Sequence, residues 1–110
     1  MKLSIIIPIR NEESVIQKIV DQLQTRLEKL PYEVIFINDF STDNTVKLTE
    51  ELIKSKPQFN LYDNAKKGLG GAITQGINKA SGEAICIMMS DLSDSIDDLE
   101  KYYSIIKNDD

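Results

Sequence analysis

Two kinds of hydrophobic pattern alternate along the chain. Short unbroken apolar runs occupy residues 3–9 (LSIIIPI), 33–38 (EVIFIN) and 84–89 (AICIMM). Runs of this length, rich in isoleucine and valine, read as strands. The last of them, apolar at every position, reads as a strand buried on both faces, as in the middle of a parallel sheet. Between the runs, apolar residues recur at helical spacing. Val15, Ile16, Ile19, Val20, Leu23, Leu27 and Leu30 form one face of a long amphipathic helix that Pro31 ends. Asn11 is placed to cap it, with Glu12 and Glu13 against the positive end of its dipole. Val46, Leu48, Leu52 and Ile53 give a second helix, capped by Ser41 or Thr42, that runs to about Lys56 before Pro57. Residues 58–62 form the least marked strand. Residues 63–71 (DNAKKGLGG) form a glycine-rich loop with two lysines, residues 72–80 a short helix, and Ser81 and Gly82 its stop. Ser95 with Asp98 suits the cap of a final helix carrying Ile96, Leu99, Tyr102, Tyr103 and Ile106.

This alternation predicts one α/β domain over residues 1–110, a mostly parallel sheet with right-handed crossovers and helices on both faces. The expected strand order is 3-2-1-4. Polar residues then fall into register. Arg10, Asn11 and Glu12 follow the first strand, Asn38 and Asp39 the second, residues 63–67 the third, and Ser90, Asp91 and Asp94 the fourth. All four groups lie at carboxyl ends, so folding gathers them on the edge where open α/β sheets bind ligands. Asp91 and Asp94 are the first candidates for a metal or ligand site. Their other reading is a loop residue followed by a helix cap, just as polar loops are common without any ligand.

Composition narrows the partners. The chain carries a net charge of −5 and has no histidine. That disfavours a general nucleic-acid binder, but a phosphate ligand is compatible if a metal or a local cation offsets the charge. The lone cysteine, Cys86, lies in an apolar run and reads as a small core residue. With no histidine and one cysteine, neither an internal disulfide nor a zinc ligand set is available. The start of the chain lacks a signal-peptide pattern and no run approaches a membrane span. The expected location is cytoplasmic.

Several segments carry a resemblance. Pro8-Ile9-Arg10-Asn11-Glu12-Glu13 resembles the P-x-x-N-E-E opening of family 2 glycosyltransferases of the GT-A fold. Residues 34–45 (VIFINDFSTDNT) resemble the family's V-D-D-G-S-T-D-x-T segment. Lys67-Gly68-Leu69-Gly70-Gly71-Ala72, then Gly76, then Ala80-Ser81-Gly82-Glu83, resemble its G-x-G-x-A…G…A-x-G-[DE] stretch. Asp91-Leu92-Ser93-Asp94 stands where the family has D-x-D. The branch most resembled is that of the polyprenyl-phosphate (dolichol-phosphate) sugar synthases, and the likeness covers nearly the whole chain.

The resemblance implies a Rossmann-like, nucleotide-binding half of a GT-A domain that uses a nucleotide diphosphate sugar with Mg²⁺ or Mn²⁺. It places Pro8, Arg10 and Glu12 along base and ribose, Asp39 on the base, and Lys67 or its neighbours near the nucleotide. Asp91 would ligate the metal, with Asp94 or Ser93 assisting. The acceptor it suggests is a polyprenyl phosphate, which would set the full-length protein at the cytoplasmic face of a membrane. Two positions depart from the pattern. Met89 stands for the first aspartate of D-x-D, and Asn38 for the first of the paired aspartates; Asn38 reads equally as a turn residue at a strand end. The family's acceptor site and, in inverting enzymes, its carboxylate base come from a further segment. The chain is therefore expected to be a donor-binding part truncated before the acceptor half, with the catalytic base beyond residue 110, inactive in transfer by itself. Apolar surface meant for that half, near Leu99, Tyr102 and Ile106, is expected to drive homodimer contacts. The competing reading is a non-catalytic nucleotide- or metal-binding α/β module. A receiver domain is a second, with Asp91 as phosphoacceptor, but no strand follows to supply its lysine.

Overall fold

A computed structural model describes residues 2–89. Four strands and three helices alternate: β1 Leu3–Ile9, α1 Ile16–Leu27, β2 Tyr32–Asn38, α2 Thr45–Ile53, β3 Phe59–Asp63, α3 Leu69–Lys79 and β4 Ala84–Ile87. The strands are parallel and lie in the order β3-β2-β1-β4, as expected. β1 and β2 are buried at every position, which is why neither shows an apolar–polar alternation. One face of the sheet packs Leu3, Ile5, Ile7, Val34 and Phe36 against Ile16, Val20, Leu23 and Leu27 of α1, with Leu48 and Leu52 of α2 alongside. The other packs Ile6, Ile35 and Ile37 under Ala72 of α3. At roughly 1.5–3 kcal/mol for each fully buried large aliphatic side chain, these two layers dominate the stability. Gly76 lets α3 lie close, since a Cβ there would overlap the Ile6 side chain.

Several boundaries differ from the sequence expectation. Asn11 does not cap α1. It takes φ 53°, α1 starts at Ile16 after a turn on the Glu12 carbonyl, and the Asn11 side chain serves a neighbouring loop instead. α1 ends at Leu27, one turn before Pro31, and α2 ends at Ile53 rather than Lys56. Neither Ser41 nor Thr42 caps α2; Asn44 holds the cap position, and the Asp43 carboxylate accepts the Thr45 N–H at 2.9 Å. α3 starts at Leu69, three residues early, so Gly70 and Gly71 lie in its first turn; Gly68, at φ 114°, is where the chain breaks.

β4 is not buried on both faces among the described residues. Ala84 and Met88 are buried against the α1 side, and Cys86 packs there half-buried. Ile85, Ile87 and Met89, alternating to the α3 side, are about 40% exposed, and α3 packs chiefly on β1 and β2. Leu99, Tyr102 and Ile106, the basis for expecting a dimer, lie outside the described residues, as do Asp91 and Asp94.

The start of β4 is stapled at the amino edge of the sheet. The buried Glu33 carboxylate accepts hydrogen bonds from Ser4 Oγ at 2.5 Å, Ser81 N at 2.6 Å and Ser81 Oγ at 3.1 Å. Lys2 Nζ lies 3.7 Å from it, and Gly82 N donates to Ser4 Oγ at 2.7 Å. Burial alone would raise the Glu33 pKa; the hydrogen bonds from Ser4 and Ser81, with the Lys2 charge, outweigh it and hold the carboxyl below its ordinary 4.5. A lowered folded pKa adds stability that is complete above the unfolded value and lost as pH falls through the folded one. The melting temperature is therefore expected to fall as pH drops below about 4.5. Glu33→Gln should flatten part of that slope in pH-dependent thermal melts, and an unchanged slope would show that the network adds nothing.

Candidate functional site at the carboxyl edge

The parallel sheet sets the carboxyl ends of all its strands on one edge, and the chain leaves that edge in loops bonded to one another. At the end of β1, Pro8 has no N–H to offer, yet no ladder bond is lost. Backbone groups alternate sides along a strand: Ile6 O faces β4 and accepts Met88 N, while Ile9 O faces β2 and accepts Asp39 N. Pro8 thus faces the β4 side beyond the last ladder pair, Ile6 with Ile87. Proline is tolerated at such unpaired positions.

The loop after β1 and the loop after β2 are zipped by side chains. Asn11 Oδ1 accepts from Thr42 N at 2.7 Å and Asp43 N at 3.3 Å, and Asn11 N donates to Ser41 Oγ at 3.0 Å. Glu12 N donates to Thr45 Oγ1 at 2.7 Å, and Glu13 Oε2 accepts Asn44 N at 3.2 Å. These bonds explain the left-handed backbone at Asn11: asparagine tolerates αL, and the turn aims its side chain across the edge. Phe40, at φ 59° and exposed, is the second strained position in this zipped pair of loops.

Asp39 joins the second loop to the third. It is buried, and its Oδ1 accepts Gly68 N at 2.9 Å and Asn64 Nδ2 at 3.0 Å. Asn64 is itself buried and also donates to Gly68 O at 3.1 Å, while its Oδ1 accepts Lys66 N at 3.2 Å. The Gly68 N–H, then the Asn64 amide and the positive charges of Arg10 and Lys67, hold the Asp39 carboxyl below its ordinary range although burial opposes them. Asp39 is thus an anion at neutral pH within reach of the charges of Arg10 and Lys67. Beside it opens a cavity of about 630 Å³, lined by Asn64, Lys66, Lys67, Gly71 and Thr74 among others, with no carboxylate among the described residues of its wall. An edge of this kind can present a carboxylate acceptor to an N–H of a ligand and cations to its anionic part.

The structure therefore brings Arg10, Asp39 and Lys67 into one electrostatic neighbourhood and sets Pro8 and Glu12 on the same edge. Asp91 and Asp94 lie outside the described residues. β4 runs parallel beside β1 and directs the chain to this edge. Among the described residues no group of three or more His, Cys, Asp or Glu comes together as a metal site. Carboxylate oxygens from Asp91 and Asp94 are the ligand type that hard divalent cations take. Sequence reasoning missed Asn64, Thr45 and the cross-loop role of Asn11. The signal for Asn64 was its place before a glycine-rich turn, which marks a turn residue but does not say what the side chain reaches.

Comparison with known proteins agrees with this architecture. The model of the family described as "Glycosyl transferase family 2" matches residues 4–110. A dolichol-phosphate mannosyltransferase of Pyrococcus furiosus is 32% identical over 108 residues, covering 98% of this chain and 31% of the relative. Among solved structures, residues 1–349 of S. aureus TarS superpose with a TM-score of 0.73 at 24% identity, covering 94% of this chain and 32% of TarS; TarS has been crystallised with UDP and with UDP-GlcNAc. The mannosyltransferase PcManGT of Pyrobaculum calidifontis, in complex with GDP-Man and Mn²⁺, superposes with a TM-score of 0.69 at 23% identity, over 81% of this chain and 27% of that one. The fold is the GT-A fold of these glycosyltransferases. The chain spans about a third of the length of the proteins it matches.

Proposed function

The chain belongs to glycosyl transferase family 2, and from that membership we propose that its carboxyl edge holds the nucleotide diphosphate sugar donor of a sugar transfer to a polyprenyl phosphate. The observation that carries this reading is the buried Asp39 carboxylate, fixed by Gly68 and Asn64 and felt by the positive charges of Arg10 and Lys67. In this reading Asp39 accepts an N–H of the base, Pro8, Arg10 and Glu12 line base and ribose, and Lys67 supplies positive charge. The lipid acceptor is proposed from the name of the archaeal relative, and it would place the whole enzyme at the cytoplasmic face of a membrane. No helix among the described residues is long and apolar enough to cross one.

Asp91, with Asp94, is proposed to hold Mg²⁺ or Mn²⁺; the Mn²⁺ complex of the Pyrobaculum neighbour supports a divalent cation. When bound, such an ion stabilises the charge that develops on a leaving diphosphate. The chain's own part is to bind and orient the donor, and we assign it no base. Calorimetric titration of the 110-residue chain with UDP and GDP, with and without Mn²⁺, tests the proposal. Saturable binding of at least one nucleotide, tightened by Mn²⁺, is expected. Failure of both to bind would overturn it.

A further inference from the structure

At the tip of β2 the side chain of Asn38 makes two hydrogen bonds of opposite sense. Its Nδ2 donates to Asp63 Oδ1 at 3.0 Å, and its Oδ1 accepts Ser41 N at 3.1 Å. These partners fix the amide's orientation on chemical grounds. Turned over, the amide oxygen would face a carboxylate and the amide nitrogen would face an N–H, and both bonds would be lost. Asn38 and Asp63 are opposite one another in the β2–β3 register. From Asn38 the connections run both ways. Gln75 Nε2 of α3 donates to Asp63 O, and Ser41, which Asn38 fixes through its N–H, accepts Asn11 N on its hydroxyl. Asn38 is thus the joint of a hydrogen-bonded line that crosses the edge from α3 through β3 and β2 to the loop after β1.

The charges around this joint permit an amide and disfavour a second carboxylate. Asp63 shares the wall of a cavity of about 330 Å³ with Glu50 of α2, and no lysine or arginine is among the described residues that line it. Asp43 lies at the amino end of α2, bonded to Thr45, and Asp39 adjoins Asn38 in the chain. A carboxylate at position 38 would stand at hydrogen-bond distance from Asp63 and next to Asp39 in the chain, and the positive charges of Arg10 and Lys67 already act on Asp39. Two carboxylates so close cannot both stay ionised without a large penalty.

We propose that Asn38 is a positioning residue for the donor site, and that positions 38 and 63 work as an exchangeable amide–carboxylate pair that sets the loop carrying Ser41 against the loop carrying Asn11. The proposal rests on reading this edge as the donor site. It explains the departure at position 38 from the paired aspartates: the carboxylate stands one strand away, at Asp63, and the amide is the partner it requires.

The pair is tested by three variants of the 110-residue chain, Asn38→Asp, Asp63→Asn and the double exchange Asn38→Asp/Asp63→Asn, compared with the unaltered chain by thermal melts and by UDP and GDP titration with Mn²⁺. Asn38→Asp is expected to lower the melting temperature by about 5 °C or more and to weaken nucleotide binding on the order of tenfold. Asp63→Asn, which keeps an amide oxygen in reach of Asn38 Nδ2, should lose less. The exchange restores one donor and one acceptor with the polarity reversed, and should recover both readouts to near the unaltered values. Lowering the pH from about 7.5 to about 5 should recover part of the Asn38→Asp loss, because a shared proton then bridges the two carboxylates, and should not improve the exchange. An exchange no better than Asn38→Asp alone, or an Asn38→Asp chain indistinguishable from the unaltered one, would overturn the proposal. If the unaltered chain binds neither nucleotide, the donor-site reading fails, and with it the positioning role for donor; the melts then still decide whether the pair exists.

Discussion

Alanine at Asp39 is expected to lower both the stability of the chain and its affinity for nucleotide, whereas asparagine is expected to lower mainly the affinity. Asp39 Oδ1 takes two hydrogen bonds inside the protein, from Gly68 N and Asn64 Nδ2. Alanine leaves both donors without their acceptor in a buried place, and bonds to a charged group contribute about 1.5–3 kcal/mol each. Asn64 then loses one of the bonds that hold the turn before α3, so the loop carrying Lys67 loosens as well. Asparagine keeps an oxygen where Oδ1 stands and so keeps both internal bonds. It replaces the other oxygen with an NH₂ and removes the charge. If that second oxygen reads an N–H of the base, Asp39→Asn should weaken UDP or GDP binding by about tenfold to a hundredfold, the equivalent of one such bond. The melting temperature should fall less than in Asp39→Ala, since both bonds remain but lose the charge that strengthens them. Both losses should persist without Mn²⁺, because the contact is remote from the diphosphate. Unchanged affinity in Asp39→Asn would make the residue a loop clamp and nothing more.

Asp91→Asn is expected to abolish the part of nucleotide binding that depends on Mn²⁺ and to leave the metal-free affinity as it was. A divalent ion on an acidic chain needs an anionic ligand, and two unit charges about 4 Å apart attract by on the order of 4 kcal/mol at an effective dielectric of 20. Losing the chief ligand should therefore remove most of the metal's contribution. Asp94→Asn should weaken it less, since Asp94 is the assisting carboxylate. Titration of each variant with UDP or GDP, with and without Mn²⁺, separates the two positions. Equal losses at Asp91 and Asp94, or none at either, would remove the assignment.

The sequence by itself determined the layers. Unbroken apolar runs marked the strands, and two of them, β1 and β2, are buried throughout. The helical spacing from Val15 to Leu27 required a face to cover, and α1 covers one side of the sheet. Parallel order followed from the alternation, and with it the gathering of Arg10, Asp39 and Lys67 at one edge, because residues after parallel strands cannot fall elsewhere. The line of family motifs was legible for the same reason.

What only the tertiary structure decided is how those loops hold each other. Local rules made Asn11 a helix cap, but the partners that won its oxygen, Thr42 N and Asp43 N, are some thirty residues away. Asn38 was equally a turn residue until Asp63 came opposite it across β2 and β3. Asn64 carried no sign that it would reach Asp39. β4, apolar at every position, was expected to be covered on both faces, yet Ile85 and Ile87 are exposed while α3 packs chiefly on β1 and β2. The physical reason is common to the three asparagines. Hydrophobic periodicity records which face of an element must leave water, a property of the segment alone, whereas a side-chain hydrogen bond depends on which loop the fold delivers to within about 3 Å of it.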